Sequence, residues 1–276
     1  MIEIGKMNRL KILRFVEFGA YLDDGDKGIL LPIKQLPPDS KEEDELDVFV
    51  YTDSEDRPIA TMEKPLAMSG EFALLQVVST DRVGAFVDIG LQKDLLIPYS
   101  EMNAKLRKGQ RIIVRVYTDP TTNRLVGSTI YNKFLRNKPE NIKPGDEITG
   151  LVALESELGV RIIVDHKYWG LIYHESVQKQ LVPGTIVTAW VKNVREDGRI
   201  DLTLRRPGAE ELFMAGGLII AALDKHNGRI NVSDDSTPEE IKELLGISKK
   251  TFKRAAGMLF KDGRIEIQNG YIKKLK

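Results

Sequence analysis

Cysteine is absent from the 276 residues, and histidine occurs only three times. That removes disulfide frameworks, thiolate zinc sites and cysteine nucleophiles together. The remaining soft ligands, His166, His174 and His226, lack metal-ligand spacing to one another. Neither a Gly-x-Ser-x-Gly elbow nor a phosphate-cradling Gly-x-x-x-x-Gly-Lys occurs. The contiguous His174-Glu175-Ser176 is no triad, because the members of a triad meet in space. The expectation is a protein that is not an enzyme and holds no cofactor or metal. Long apolar runs are also missing. The twelve residues Leu212 to Leu223 fall short of the roughly 20 that span a bilayer. The N-terminus lacks a charged segment followed by an apolar one. A cytoplasmic protein with no membrane partner is expected.

No charge of one sign dominates, since 41 Lys/Arg balance 41 Asp/Glu. With 42% hydrophobic and 30% charged residues the chain has an ordinary globular composition, which excludes disordered and collagen-like classes. Its length predicts about two domains at roughly 100–200 residues each.

Internal repetition refines that estimate. Gly19-Ala20-Tyr21-Leu22-Asp23 recurs as Gly84-Ala85-Phe86-Val87-Asp88, Leu30-Leu31-Pro32 as Leu96-Ile97-Pro98, and Val50-Tyr51-Thr52-Asp53 as Val116-Tyr117-Thr118-Asp119, at shifts of 65 and 66. A weaker third copy runs from Gly150-Leu151-Val152 through Gly159-Val160-Arg161-Ile162 and Gly170-Leu171-Ile172 to Gly198–Leu204. Apolar residues come in short alternating bursts between Gly, Pro, Asn and Asp, the pattern of strands. The second copy predicts five, at Phe72–Val78, Gly84–Ile89, Asp94–Ile97, Arg111–Tyr117 and Arg124–Thr129, with a helical turn at Ser100–Leu106. Five strands in about 65 residues is the content of an OB-type barrel. Lys64-Pro65, Asn137-Lys138-Pro139 and Pro207-Gly208 are breakers and mark domains at 1–63, 64–138, 139–207 and 208–276. The acidic run Asp39–Glu45 reads as a solvated loop, because it lacks the spaced ligands and glycine of a calcium loop.

The last domain reads as helices at Glu210–His226, Pro238–Leu245 and Lys249–Asp262. Ser236 or Thr237 is placed to cap the second helix and Ser248 the third. Asn269-Gly270 between apolar bursts signals a hairpin, and Arg229–Val232 offers a third strand. Together these make a winged helix. The first helix has almost no polar stripe, so it is expected to be covered on both sides, between the winged helix and the third barrel. In the third helix Phe252, Ala255, Ala256 and Leu259 face the core. Lys249, Lys250, Lys253 and Arg254 are left at the position of a recognition helix. Residues 247 to 276 hold nine basic and two acidic groups, with Arg264, Lys273 and Lys274 toward the wing.

The aromatic-Gly-Ala-aromatic-Val-Asp strand resembles the S1-type RNA-binding domain. Phe18-Gly19-Ala20-Tyr21-Leu22-Asp23 carries both aromatics, while the second copy has Val83 at the first position and Phe86 at the second. The third has Arg161 at the second. The family's usual third-strand His is replaced by Pro32, Pro98 and Tyr173, the last followed by His174. Exposed aromatics stack on unpaired bases whatever the sequence, for roughly 1–3 kcal/mol each, while Lys/Arg track phosphates. Phe18, Tyr21 and Phe86 read either as such platforms or as filling for a small barrel. The third barrel clusters Tyr168, Trp169, Tyr173 and His174 with Lys167, and adds Lys192, Arg195, Arg199, Arg205 and Arg206, so it is the expected working surface. Trp169 reads equally as core. Residues 1 to 62 carry 8 basic and 14 acidic groups, residues 63 to 138 carry 12 and 7, residues 139 to 209 carry 9 and 10, and residues 210 to 276 carry 12 and 10. The acidic first barrel is a poor phosphate binder and a candidate protein-binding face.

Three S1-type units followed by a winged helix resemble, along essentially the whole chain, the conserved virulence factor B (CvfB-like) family. The resemblance implies a cytoplasmic, non-catalytic RNA-binding protein that influences gene expression after transcription, and the residues add the expectation that the third barrel and the winged helix hold single-stranded RNA with little base specificity. The alternative is a transcription regulator whose third helix reads duplex DNA.

Overall fold

The computed structural model describes residues 2–53, 55–177, 179–206 and 208–275. The breaker Pro207 lies outside the described residues. The chain divides into two compact units, Met1–Leu204 and Arg205–Lys276. Among the described residues no helix is long and apolar enough to cross a membrane.

The first unit holds three five-stranded barrels. Barrel one is built from β1 (Lys6–Val16), β2 (Gly19–Leu22), β3 (Ile29–Pro32), β4 (Glu45–Thr52) and β5 (Pro58–Thr61), closed in the order β1-β2-β3-β5-β4. Barrel two has β6 (Phe72–Thr80), β7 (Gly84–Asp88), β8 (Leu95–Pro98), β9 (Arg111–Thr118) and β10 (Leu125–Ser128), in the order β10-β9-β6-β7-β8. Among the described residues no β8–β10 ladder closes it, but Gly127 on β10 lies where a Cβ would meet Ile97 and Leu95 side-chain atoms at 2.8 and 3.3 Å. Barrel three repeats the closed arrangement with β11 (Glu147–Ser156), β12 (Gly159–Val164), β13 (Tyr168–Tyr173), β14 (Ile186–Val194) and β15 (Ile200–Thr203).

Two devices recur in each barrel. The long first strand carries a bulge, between Ile12 and Arg14, Val77 and Ser79, and Val152 and Leu154, which bends it enough to pair on both sides. The motif glycine opens the second strand, and a Cβ on Gly19, Gly84 or Gly159 would lie 2.1 Å from the carbonyl oxygen of Leu31, Ile97 or Ile172. The weak third copy is therefore a true repeat of the same backbone approach. The helical turn expected at Ser100–Leu106 is one 3-10 turn at Tyr99–Glu101. The acidic run forms the loop into β4, with Glu43 and Glu45 paired to Lys11 and Arg9 of β1.

Each barrel has its own apolar core, and the three are fastened together. Between barrels one and two, Ser69 N–H donates to the Gly5 carbonyl (2.8 Å) and Thr118 Oγ1 to that of Ile4 (3.0 Å). Between barrels two and three, Phe72, Ile113 and Leu135 pack with Leu151, Ala153 and Ile163 as a separate apolar cluster.

The second unit contains α1 (Ala209–Lys225), β16 (Arg229–Ile230), α2 (Pro238–Leu245), α3 (Lys249–Lys261), β17 (Ile265–Gln268) and β18 (Tyr271–Lys274), with sheet order β16-β18-β17. This is a winged helix. Thr237 and Glu240 form a reciprocal capping box at α2, and Ser248 accepts from Thr251 N–H at α3. Asn269-Gly270 turns the hairpin, with Gln268 opposite Tyr271. Ile219, Leu223, Ile241, Phe252, Ala255, Ala256, Leu259, Ile265 and Ile272 form the core. Ala215, Ile219 and Leu223 are buried, but Phe213 is 77% exposed, and Met214 and Leu218 are exposed beside it. Within the second unit the three-helix core accepts one stripe of α1.

Candidate nucleic-acid interface

Strand alternation sorts the aromatics of barrel three. On β13, Tyr168, Gly170 and Ile172 point inward, and Trp169, Leu171 and Tyr173 outward. Tyr168 is thereby corrected: it is 3% exposed, belongs to the barrel core, and its hydroxyl accepts from Glu140 N–H. Trp169 is half-buried, with the Arg161 guanidinium 3.8 Å above its ring and its Nε1 donating to Asn132 Oδ1 at 3.0 Å. It stands at the margin of the seam with barrel two, near Tyr131.

Arg161 pairs with Leu171 and Gly159 with Tyr173 across β12 and β13, so Arg161, Trp169, Leu171 and Tyr173 share one outer face. Burial lowers the Arg161 pKa, and nearby Arg199 adds to that shift. Arg199 itself is exposed. Its Nε lies 3.5 Å from Asp197 in an ion pair open to solvent on both sides. Arg161 was not among the residues expected to bind. Its place where the motif has its second aromatic was the available signal.

Tyr173 is fixed at its edge, its hydroxyl donating to Asp201 (3.2 Å) and accepting from Arg195 Nη2. Arg195 also donates Nε to Asp201 at 3.0 Å, and the carboxylate holds the guanidinium pKa above its ordinary value. This cation is already matched. His174 Nε2 lies 3.0 Å from the Ser156 carbonyl and the ring is about half exposed. Lys192 is exposed at the β14 bulge.

The equivalent residues of the other barrels also point outward, so none fills a barrel core. Phe18 is 56% exposed on the β1–β2 turn. Tyr21 is half-buried beneath the Arg14 guanidinium at 4.7 Å. Phe86 is half-buried in a cleft between barrels one and two.

In the winged helix Lys250, Lys253 and Arg254 are exposed on the N-terminal half of α3, while Lys249 is half-buried. Lys253 lies 3.8 Å from Asp234. Arg264 and Lys273 are exposed, and Lys274 is engaged by Asp224 near the end of α1. Arg229 stacks on the Tyr271 ring at 3.8 Å. Arg205 lies at the start of this unit. Among the described residues no three His, Asp or Glu side chains come together to hold a metal ion.

The S1 domain model matches residues 4–63, the S1 RNA binding domain model residues 75–205, and the CvfB-like winged helix domain model residues 218–273. The uncharacterized protein YitL of Bacillus subtilis is 30% identical, covering 97% of this chain and 92% of its own. Conserved virulence factor B of Staphylococcus haemolyticus is 27% identical over 99% of this chain and 95% of its own. That of Staphylococcus saprophyticus is 26% identical over 98% and 93%. A solved multidomain protein with nucleic acid binding domains from Streptococcus pneumoniae aligns over 99% of this chain and 98% of its own at 21% identity, with a TM-score of 0.42. With S1 barrels running into this particular winged helix, and relatives that align nearly end to end, the chain belongs to the conserved virulence factor B (CvfB-like) family, built from S1 nucleic-acid-binding domains and a winged helix.

Proposed function

We propose that the protein binds single-stranded RNA with little base specificity through barrel three and the winged helix, and acts in the cytoplasm on gene expression after transcription, as a binder and not a catalyst. One observation carries the reading: the outer face of barrel three sets the Arg161–Trp169 stack, Leu171 and the Tyr173 ring side by side, with Arg199 next to Arg161. Apolar and aromatic surface interleaved with cations suits unpaired bases and their phosphates together. The relatives' name, conserved virulence factor B, fits a regulatory role.

A second reading has one observation of its own. The exposed Lys250, Lys253 and Arg254 lie on the early turns of α3, the part of a recognition helix that enters a duplex groove. Competition between single-stranded RNA and duplex DNA of equal length, at two salt concentrations, separates the two. RNA is expected to win at both, and a preference for the duplex would overturn the first reading.

A further inference from the structure

Barrel two presents its motif aromatic differently from the other two barrels. Phe86 and its cross-strand partner Leu96 occupy the outer β7–β8 face, which barrel one overhangs. A cleft of about 300 Å³ results, with Tyr51 of β4 contributed by barrel one and Phe86 and Leu96 by barrel two. This volume lies at the small end of ligand pockets, roughly 300–1,000 Å³, so the cleft suits one planar group and not a run of strand.

The cleft is held open by polar ties across the two barrels. Lys93 Nζ of barrel two donates to the Thr52 and Asp53 carbonyls of barrel one at 2.9 and 2.8 Å. Arg124 of barrel two is paired with Asp56 of barrel one, each about half exposed. These ties span the seam without filling it, so the site is formed before a ligand arrives. An ammonium has three protons to donate, and two of those on Lys93 are used. The third has no acceptor among the described residues and is available to a base edge or a phosphate oxygen. The Tyr51 hydroxyl likewise has no hydrogen-bond partner among the described residues, and burial pushes its pKa up. The lining holds two carboxyl groups: Asp56, whose charge the pairing with Arg124 offsets, and Asp94, whose pKa burial and the neighbouring Asp88 push up; barrel two as a whole is basic, with 12 basic and 7 acidic groups over residues 63 to 138.

We propose that the cleft between barrels one and two is a receptor for a single unstacked nucleobase, with Tyr51 and Phe86 as its stacking rings. The proposal rests on the nucleic-acid reading above and extends it to a barrel pair outside the main surface. It assigns the acidic barrel a part in recognition that its charge alone argues against: it supplies a ring, not a phosphate contact. The base can come from an RNA strand or from a free nucleotide, and the chemistry of capture is shared.

The test uses the full chain and its Phe86→Leu, Tyr51→Leu and Tyr51→Phe variants, titrated with a mixed-sequence single-stranded RNA of about 12 nucleotides and, separately, with adenosine monophosphate. Each Leu variant is expected to weaken RNA binding about 5- to 30-fold, with Tyr51→Phe near wild type, since the loss is that of one stacked base. Photo-crosslinking of iodouridine-labelled RNA to the wild-type chain, independent of any variant, is expected to mark the peptides carrying Tyr51 or Phe86. Saturable binding of the monophosphate that Phe86→Leu abolishes identifies a free nucleotide as the ligand. An effect on RNA alone identifies a strand. Wild-type affinity in both Leu variants for both probes, with crosslinks elsewhere, overturns the cleft while leaving the barrel-three reading intact. A wild-type chain that binds neither probe overturns both.

Discussion

At the scale of single residues, the motif glycines decide between two opposite effects. Replacing glycine by alanine stabilises by about 0.4–1 kcal/mol where alanine can adopt the native backbone angles, because the unfolded chain loses freedom, and Gly159 with φ +154° is not such a position. At Gly159 the new Cβ would sit 2.1 Å from the Ile172 carbonyl oxygen, and forcing apart two packed strands costs about 1–3 kcal/mol. Steric cost should win, so Gly159→Ala is expected to lower the urea midpoint of the first unit. An unchanged or raised midpoint would show that β12 and β13 can separate freely. The two arginines near Tyr173 and Trp169 separate in the same way. Arg199 is 72% exposed and its ion pair with Asp197 is open to solvent, so the guanidinium can still reach a phosphate; its removal should flatten the salt dependence of RNA binding by about 0.7 of a unit, the contribution of one phosphate on a single strand. Arg195→Ala instead leaves Asp201, 13% exposed, without its cation, and should show first in thermal stability. Identical salt slopes for Arg199→Ala and wild type would remove Arg199 from the interface.

At the scale of elements, α1 has one face under strong packing constraint and another under almost none. Ile219→Ala, at a fully buried position, is expected to cost about 2–5 kcal/mol. Phe213→Ser, at the exposed face, should stay within about 0.5 kcal/mol of wild type. Denaturant unfolding of both variants checks this, and a large loss in Phe213→Ser would mean that another part of the molecule covers that face. Most elements were legible in the sequence because local chemistry specifies them. Thr237-Pro238 with Glu240 starts α2, Asn269-Gly270 turns the wing, and Gly19 and Gly84 open their strands. The side to which Tyr168 points was not legible in the sequence. Clustered aromatics on a strand divide between its two faces, and only the register of β13 against β12 shows that Tyr168 points inward and Trp169 outward.

At the scale of the whole molecule, the seams between barrels were not legible from the repeat, which treats the copies as independent. A signal existed in the unbroken apolar runs Leu151–Leu154 and Ile162–Val164, where a strand with one wet face would alternate. One seam carries a titratable group. His166 is half-buried and stacked on Phe72, and its Nδ1 accepts the Phe72 N–H at 2.9 Å while its carbonyl accepts from Arg115 Nη1 at 2.8 Å. Accepting at Nδ1 requires the neutral ring. Burial lowers the pKa most. Arg115 and Lys6 act in the same direction, against Glu71 and Asp165. The folded-state value therefore lies below the unfolded value of about 6.5, so the unfolded chain takes up the proton first. The stabilisation is complete above about pH 6.5 and is lost as pH falls through the folded value. His166 has φ +55°, a left-handed conformation that asparagine tolerates. His166→Asn keeps a side-chain acceptor and removes the titration. Protection of the Phe72 amide in hydrogen exchange, compared between about pH 7.5 and pH 5.5 to span the histidine range, should fall in the wild type and hold steady in His166→Asn after correction for intrinsic exchange. Parallel losses in both proteins would assign the acid sensitivity of this seam to another group.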